Sequence, residues 1–172
     1  MLKKVRVQIL TDRCEMQGSL YETPSGKLLP DLEAEFPVQK GDVEHLEMTT
    51  EAIYHDDGHR VCISYKESEL SGMEGSKTSV SYHKNEPQML YMMRDGTVKT
   101  AMVFEAGERH TSVYQTPVMP FEVCIFTRTV DNRIEQEGTL RMDYAVELRG
   151  AQTERTKFLM RILPDFDRPA QK

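Results

Sequence analysis

Residues 88 to 127, QMLYMMRDGTVKTAMVFEAGERHTSVYQTPVMPFEVCIFT, place short apolar runs between turn residues at intervals that suit β-strands and little else. Gln88 to Arg94 faces Thr97 to Glu105 across Asp95-Gly96, a dipeptide suited to a two-residue type I′ hairpin turn. Along the second segment, period-two alternation puts Val98, Thr100, Met102 and Phe104 on a core face, with Lys99, Ala101, Val103 and Glu105 opposite. Ala106-Gly107 then turns the chain into Arg109 to Tyr114. Thr116-Pro117 and Pro120 bracket a further turn before Phe121 to Val130, and both prolines are expected outside the strands because proline cannot donate to a ladder.

The same alternation extends outward from this centre. Lys3 to Thr11 carries Val5, Val7 and Ile9 on one face, and Leu46 to His55 and His59 to Glu69 flank the turn Asp56-Asp57-Gly58. A strand with Thr78, Val80 and Tyr82 on one face follows. Leu140, Met142, Tyr144, Val146 and Leu148 alternate strictly through Thr139 to Leu148, and Phe158, Met160 and Ile162 mark a last strand from Thr153 to Leu163. Helical periodicity is nearly absent. The expectation is an all-β fold: one antiparallel up-and-down β-barrel of about 8–10 strands spanning residues 1–172, with a two-sheet sandwich as the alternative.

One stretch breaks the pattern. Residues 12–45 lose the alternation and collect Gly18, Pro24, Gly26, Pro30, Pro37 and Gly41, which reads as a long loop insertion, either mobile or packed by its own Leu28, Leu29, Leu32 and Phe36, with room for one helical turn at Asp31 to Phe36. The tail 164–172 is read as loose.

A net charge of -6 argues against nucleic acid as a partner, because phosphate-backbone affinity rests on clustered Lys and Arg. The opening MLKKVRVQIL lacks the apolar core of a secretory signal, and no apolar run approaches the ~20 residues of a membrane span. Cys14, Cys62 and Cys124 are too widely spaced for a disulfide framework or a zinc site. A cytoplasmic protein with reduced thiols, no membrane association and no cofactor is expected.

Three segments resemble a known family: CISYKESELSGMEGSKTSV, then RDGTVKTAMVFEAGERHTSVYQTPVMPFEVCIFT, then the final strand pair. The most specific piece is Met102-x-Phe104-Glu105-x-Gly107-x-x-His110, followed by Tyr114-x-Thr116-Pro117 and Glu122. This is similar to the YwiB-like bacterial family of unknown function. The resemblance implies a calycin-like, lipocalin-like barrel and no activity. It covers Leu46 to Leu163, with Lys3 to Thr11 as first strand; residues 12–45 depart from the family's short first connection, and Pro120 replaces a common Gly.

Two constellations suggest chemistry. His55-Asp56-Asp57-Gly58-His59 gathers two imidazoles and two carboxylates, but the turn's own geometry accounts for Asp-Asp-Gly, so no metal is assigned. Arg94, Glu105, His110, Tyr114 and Glu122 come from neighbouring strands as a candidate polar cluster. Glu122, on a face with Cys124 and Phe126, is expected to need Arg94 or His110 as partner. A structural network is preferred to catalysis because no nucleophile stands beside a base, so no catalytic residue is named and an enzyme ranks third.

Two binding readings remain. Eleven methionines supply adaptable side chains, and Tyr65, Met102, Phe104 and Tyr144 are the candidate lining of an interior site for a small, partly apolar ligand. Against this, MLYMM, AMVF and VCIF are apolar on both faces, so something covers the outer wall: the 12–45 segment, a homodimer partner or another protein. A filled core acting as a homodimerising scaffold is the competing reading. Interior volume separates the two.

Overall fold

The computed structural model describes residues 1–16, 19–23, 26–27, 43–71, 74–149 and 153–164. The strands are β1 (Leu2–Met16), β2 (Glu22–Thr23), β3 (Gly26–Lys27), β4 (Glu44–Asp56), β5 (Arg60–Lys66), β6 (Lys77–His83) and β7 (Met89–Asp95). They continue as β8 (Lys99–Glu105), β9 (Arg109–Gln115), β10 (Pro120–Arg133), a four-residue helix α1 (Ile134–Glu137), β11 (Thr139–Leu148) and β12 (Thr153–Leu163). β4 to β12 pair in sequence order, and β1 closes the ring by pairing antiparallel with both β12 and β4. The molecule is the expected closed antiparallel barrel, with ten strands in the wall; β2 and β3 form a separate two-stranded sheet. No described helix is long and apolar enough to cross a membrane.

β11 and β12 have the bounds expected from their alternation, whereas β1 does not stop at Thr11. It continues because both neighbours still offer partners there: Arg13 lies opposite Glu44, and Met16 opposite Thr153. Residues 12–16 and 44–45 are therefore barrel wall and not loop, and β2 and β3 give part of the remaining connection a hairpin. Leu28, Leu29, Leu32, Phe36, the turn expected at Asp31 to Phe36 and the tail beyond Pro164 lie outside the described residues.

The central hairpin also differs from expectation. Arg94 pairs with Thr100, so five residues, 95–99, separate the paired ends and no two-residue turn forms. Asp95 stays paired with Lys77 of β6, and Gly96 is not among the positive-φ glycines. Its role is steric: a Cβ there would stand 2.3 Å from Ser76 Oγ. At Ala106-Gly107 the expected turn does form with Gly107 at φ 79°, and it docks on β10 through Gly107 N–H to Thr127 O at 2.8 Å. Pro120 begins β10, where its missing donor is tolerated, instead of lying outside it.

Val5, Val7, Ile63, Val80, Leu90 and Phe104 pack the interior toward one end, each at most 6% exposed, and a cleft lined by Lys3, Val5, Tyr54, Ile134 and Ile162 lies beside that end. Period-two alternation supplies them: in β8, Thr100, Met102 and Phe104 point inward while Lys99 and Ala101 are exposed. α1 plugs this end, burying Ile134 among the core side chains. Lys84 ties the plug to two turns, reaching Asp56 at 2.7 Å and Glu135 at 3.1 Å, while Asn132 Nδ2 donates to Pro87 O at 2.7 Å.

On the outside, Leu20 is fully buried against Cys124 and Ala145, with Phe126 and Tyr21 beside them. Glu147, facing outward from β11, holds this short strap: its carboxylate accepts from Leu20 N–H at 2.7 Å and from Ser19 Oγ at 2.9 Å. Arg109 Nη1 donates to Leu20 O at 2.5 Å. Of the three candidate covers, the chain's own connection after β1 is the one over the outer face of VCIF. The outer face of β7 and β8 is different, since Met93 is 54% exposed and Ala101 is exposed.

Candidate functional site: a half-empty barrel

Opposite the α1 plug the interior is open. A cavity of about 330 Å3 lies between the strand ends, lined by apolar side chains including Ile9, Met48, Met102, Val123, Val146 and Phe158. Of the four residues expected to line an interior site, Tyr65, Met102 and Tyr144 do so. Phe104 does not; it is fully buried beneath, with its ring 4.7 Å from that of Tyr144 at 60°. That aromatic contact forms the boundary between the filled and open halves.

The expected polar cluster separates into three places. Arg94 and Tyr114 line the cavity. Glu105 and His110 pair with each other at 3.1 Å, and they stand where β8 and β9 have splayed apart after only two paired positions, Lys99 with Gln115 and Thr100 with Tyr114. Glu122 points outward, and its partner is Arg149 at 3.3 Å, not Arg94 or His110. The face it shares with Cys124 and Phe126 is the outer wall, so the carboxylate is solvated and needs no buried cation.

The histidine turn has no convergent donor set either. His55 stands opposite Cys62, not His59. Asp57 Oδ1 accepts from the His59 and Arg60 amides, and Asp56 is shared between Gly58 N–H and Lys84. These bonds hold both carboxyls below the usual range, the Lys84 bond contributing most at Asp56 and the His59 amide most at Asp57. Among the described residues no group of three His, Cys, Asp or Glu side chains is placed to hold a metal.

Among the polar cavity residues that sequence reasoning missed are Thr11 and Arg13 on β1, Glu67 just after β5, and Glu154 on β12. Each continues an inward apolar series at the same end of the barrel, as in Ile9-Thr11-Arg13, Ile63-Tyr65-Glu67, Met92-Arg94 and Phe158-Thr156-Glu154. Polar residues in phase with core positions were the available signal. Glu67 is 7% exposed and accepts from Thr78 Oγ1 at 2.6 Å, while Arg94 Nε stands 3.9 Å from its carboxylate, beyond hydrogen-bond reach. Arg94 Nε and Thr11 Oγ1 are both buried and unpartnered. Burial pushes the Tyr65 and Tyr144 phenols above their ordinary range; Glu67 adds to the effect at Tyr65, and Arg94 and Arg13 oppose it at Tyr144. The cavity is thus an apolar chamber with two arginines, two carboxylates and three tyrosines in its lining.

The crystal structure of ywiB protein from Bacillus subtilis is similar, with a TM-score of 0.60 at 16% identity over 95% of this chain and 96% of that one. At that identity the likeness concerns the fold, which is calycin-like. No curated protein matches. The family profile described as "Domain of unknown function (DUF1934)" matches residues 31–160, starting inside the stretch expected to lack a counterpart. With well over half its length matched, the chain belongs to the DUF1934 family, the YwiB-like barrels of unknown function.

Proposed function

We propose that the protein binds one small, partly apolar molecule in the open half of its barrel. The cavity of about 330 Å3 carries this reading. Ligand sites are typically ~300–1,000 Å3, largely apolar, with a few convergent polar groups, and empty space of this size is rare in a core packed for stability alone. Met48 and Met102 in the lining are unbranched and polarisable, which suits a wall that adjusts to an occupant. Cys14, Cys62 and Cys124 are all free thiols, which supports a reducing, cytoplasmic setting.

The uncharged fluorophore N-phenyl-1-naphthylamine tests the reading. Its emission should rise and saturate at one molecule per chain, and Val146→Phe, which places an aromatic ring in the chamber, should weaken the rise. No enhancement with the native protein, or an equal one with the variant, would remove the proposal.

A second reading rests on the outer wall. Met93 and Ala101 pair across β7 and β8, and continuing the β8 and β9 register sets Val113, 48% exposed, beside Ala101. This uncovered row suits a second copy of the chain, making the barrel a homodimer without altering its interior.

A further inference from the structure

Resting on the interior-site reading, we infer that the occupant is an amphiphilic monocarboxylate, its carboxylate at the cavity mouth between Arg13 and Arg94 and its alkyl part among Met102, Val146 and Phe158. Arginine is costly at an inward position beside an apolar chamber unless a counter-charge meets it. Here the internal carboxylates leave hydrogen-bonding groups unmet. Glu67 is within ion-pair distance of Arg94, but at 3.9 Å it is beyond hydrogen-bond reach, and Arg94 Nε is left without an acceptor. Arg13 has no carboxylate within ion-pair distance among the described residues, and it is partly buried on the inner face of β1. Two residues earlier on that face, Thr11 Oγ1 is a second buried polar atom without a partner.

A carboxylate is the group these features fit together. It accepts from planar guanidinium forks and from a hydroxyl, and it brings one negative charge into a site facing two positive ones. Glu67 and Glu154 also face the cavity and limit how much negative charge it tolerates, which disfavours a phosphate dianion. An uncharged amphiphile would fill the apolar part equally well but bring no counter-charge to Arg13 and only a weaker acceptor to Arg94 Nε. The Tyr65 and Tyr144 phenols, raised by burial, stay neutral at physiological pH and add hydroxyls without competing charge.

The test displaces bound N-phenyl-1-naphthylamine with octanoate or with octan-1-ol, which share a chain length and differ in charge. Octanoate should displace the dye at concentrations at least tenfold lower, and by more at low ionic strength. Arg13→Gln, at a partly exposed position with no ion pair to disrupt, should shrink the octanoate advantage several-fold and leave octan-1-ol unchanged. Arg94→Lys, which keeps a charge beside Glu67, should retain an intermediate advantage. Equal displacement by the two amphiphiles while the dye binds normally would overturn the carboxylate assignment and leave the binding cavity standing. Failure of the native protein to bind dye, octanoate or octan-1-ol would overturn both.

Discussion

A single substitution made at each end of the barrel interrogates the division between a filled and an open half. Val61 on β5 and Val146 on β11 both face inward; Val61 is fully buried in the packed end, and Val146 lines the cavity. Replacing either by Phe keeps good strand propensity and adds most of an aromatic ring, so the difference between the two reports local space. At Val61 the ring must displace neighbours in native packing, a cost of about 1–3 kcal/mol or more. At Val146 it enters empty volume, and at ~0.8 kcal/mol per methylene-sized group buried, partial burial should stabilise by about 1–2 kcal/mol. Urea unfolding followed by circular dichroism measures both, with the urea dependence confirming that the same surface is exposed. The midpoint should fall for Val61→Phe and rise or hold for Val146→Phe. Equal destabilisation by the two would mean that no usable space exists at the open end, and the binding reading would go with it.

Other consequences are as direct. Five of the seven tyrosines, Tyr21, Tyr54, Tyr65, Tyr82 and Tyr144, have phenols raised above their ordinary value, chiefly by burial, that of Tyr21 to about 12. A raised folded value means that the unfolded chain releases these protons first. The phenols' contribution to stability should therefore be constant below about pH 10 and fall as pH climbs past it, by up to ~1.4 kcal/mol per pH unit for each such phenol in its window; a melting temperature unchanged from pH 9 to 11.5 would contradict this. Glu147→Ala removes the acceptor for Leu20 N–H and Ser19 Oγ and should cost about 1.5–3 kcal/mol of strap docking, read as faster amide exchange at Leu20 and Tyr21. Unchanged exchange there would mean that Leu20 packing alone holds the strap. Met93→Lys, on the uncovered outer row, should convert any dimer seen by sedimentation equilibrium to monomer without altering dye binding, and a dimer that survives uses another surface.

The sequence made the architecture readable wherever the barrel interior is solid, because burial there enforces period two. β11 and β12 have the expected bounds because Leu140, Met142, Tyr144, Phe158 and Met160 set the alternation in the core, and Val146 and Leu148 continue it as apolar residues facing the cavity. Reading failed where the cavity-facing end of a strand is polar and no turn residues mark its bound. β1 was cut short at Thr11 because Thr11 and Arg13 face a chamber and not a core, and polar residues there look like the start of a loop. Asp95-Gly96 misled for another cause: the glycine serves a close approach to Ser76 in a neighbouring connection, which local turn chemistry does not register. Glu122 was assigned to the wrong company because alternation gives two faces without saying which is inside; its neighbours Cys124 and Phe126 are apolar on account of Leu20, distant in sequence.

The claim that the open half of this barrel exists to hold a molecule is tested most directly by native mass spectrometry of the protein taken from its own host without detergent or organic solvent. The account predicts a chain carrying one small-molecule adduct that is lost on denaturation, replaced one-for-one by added decanoate, and less abundant on Val146→Phe. A bare chain mass that stays bare in the presence of decanoate and of N-phenyl-1-naphthylamine would contradict it.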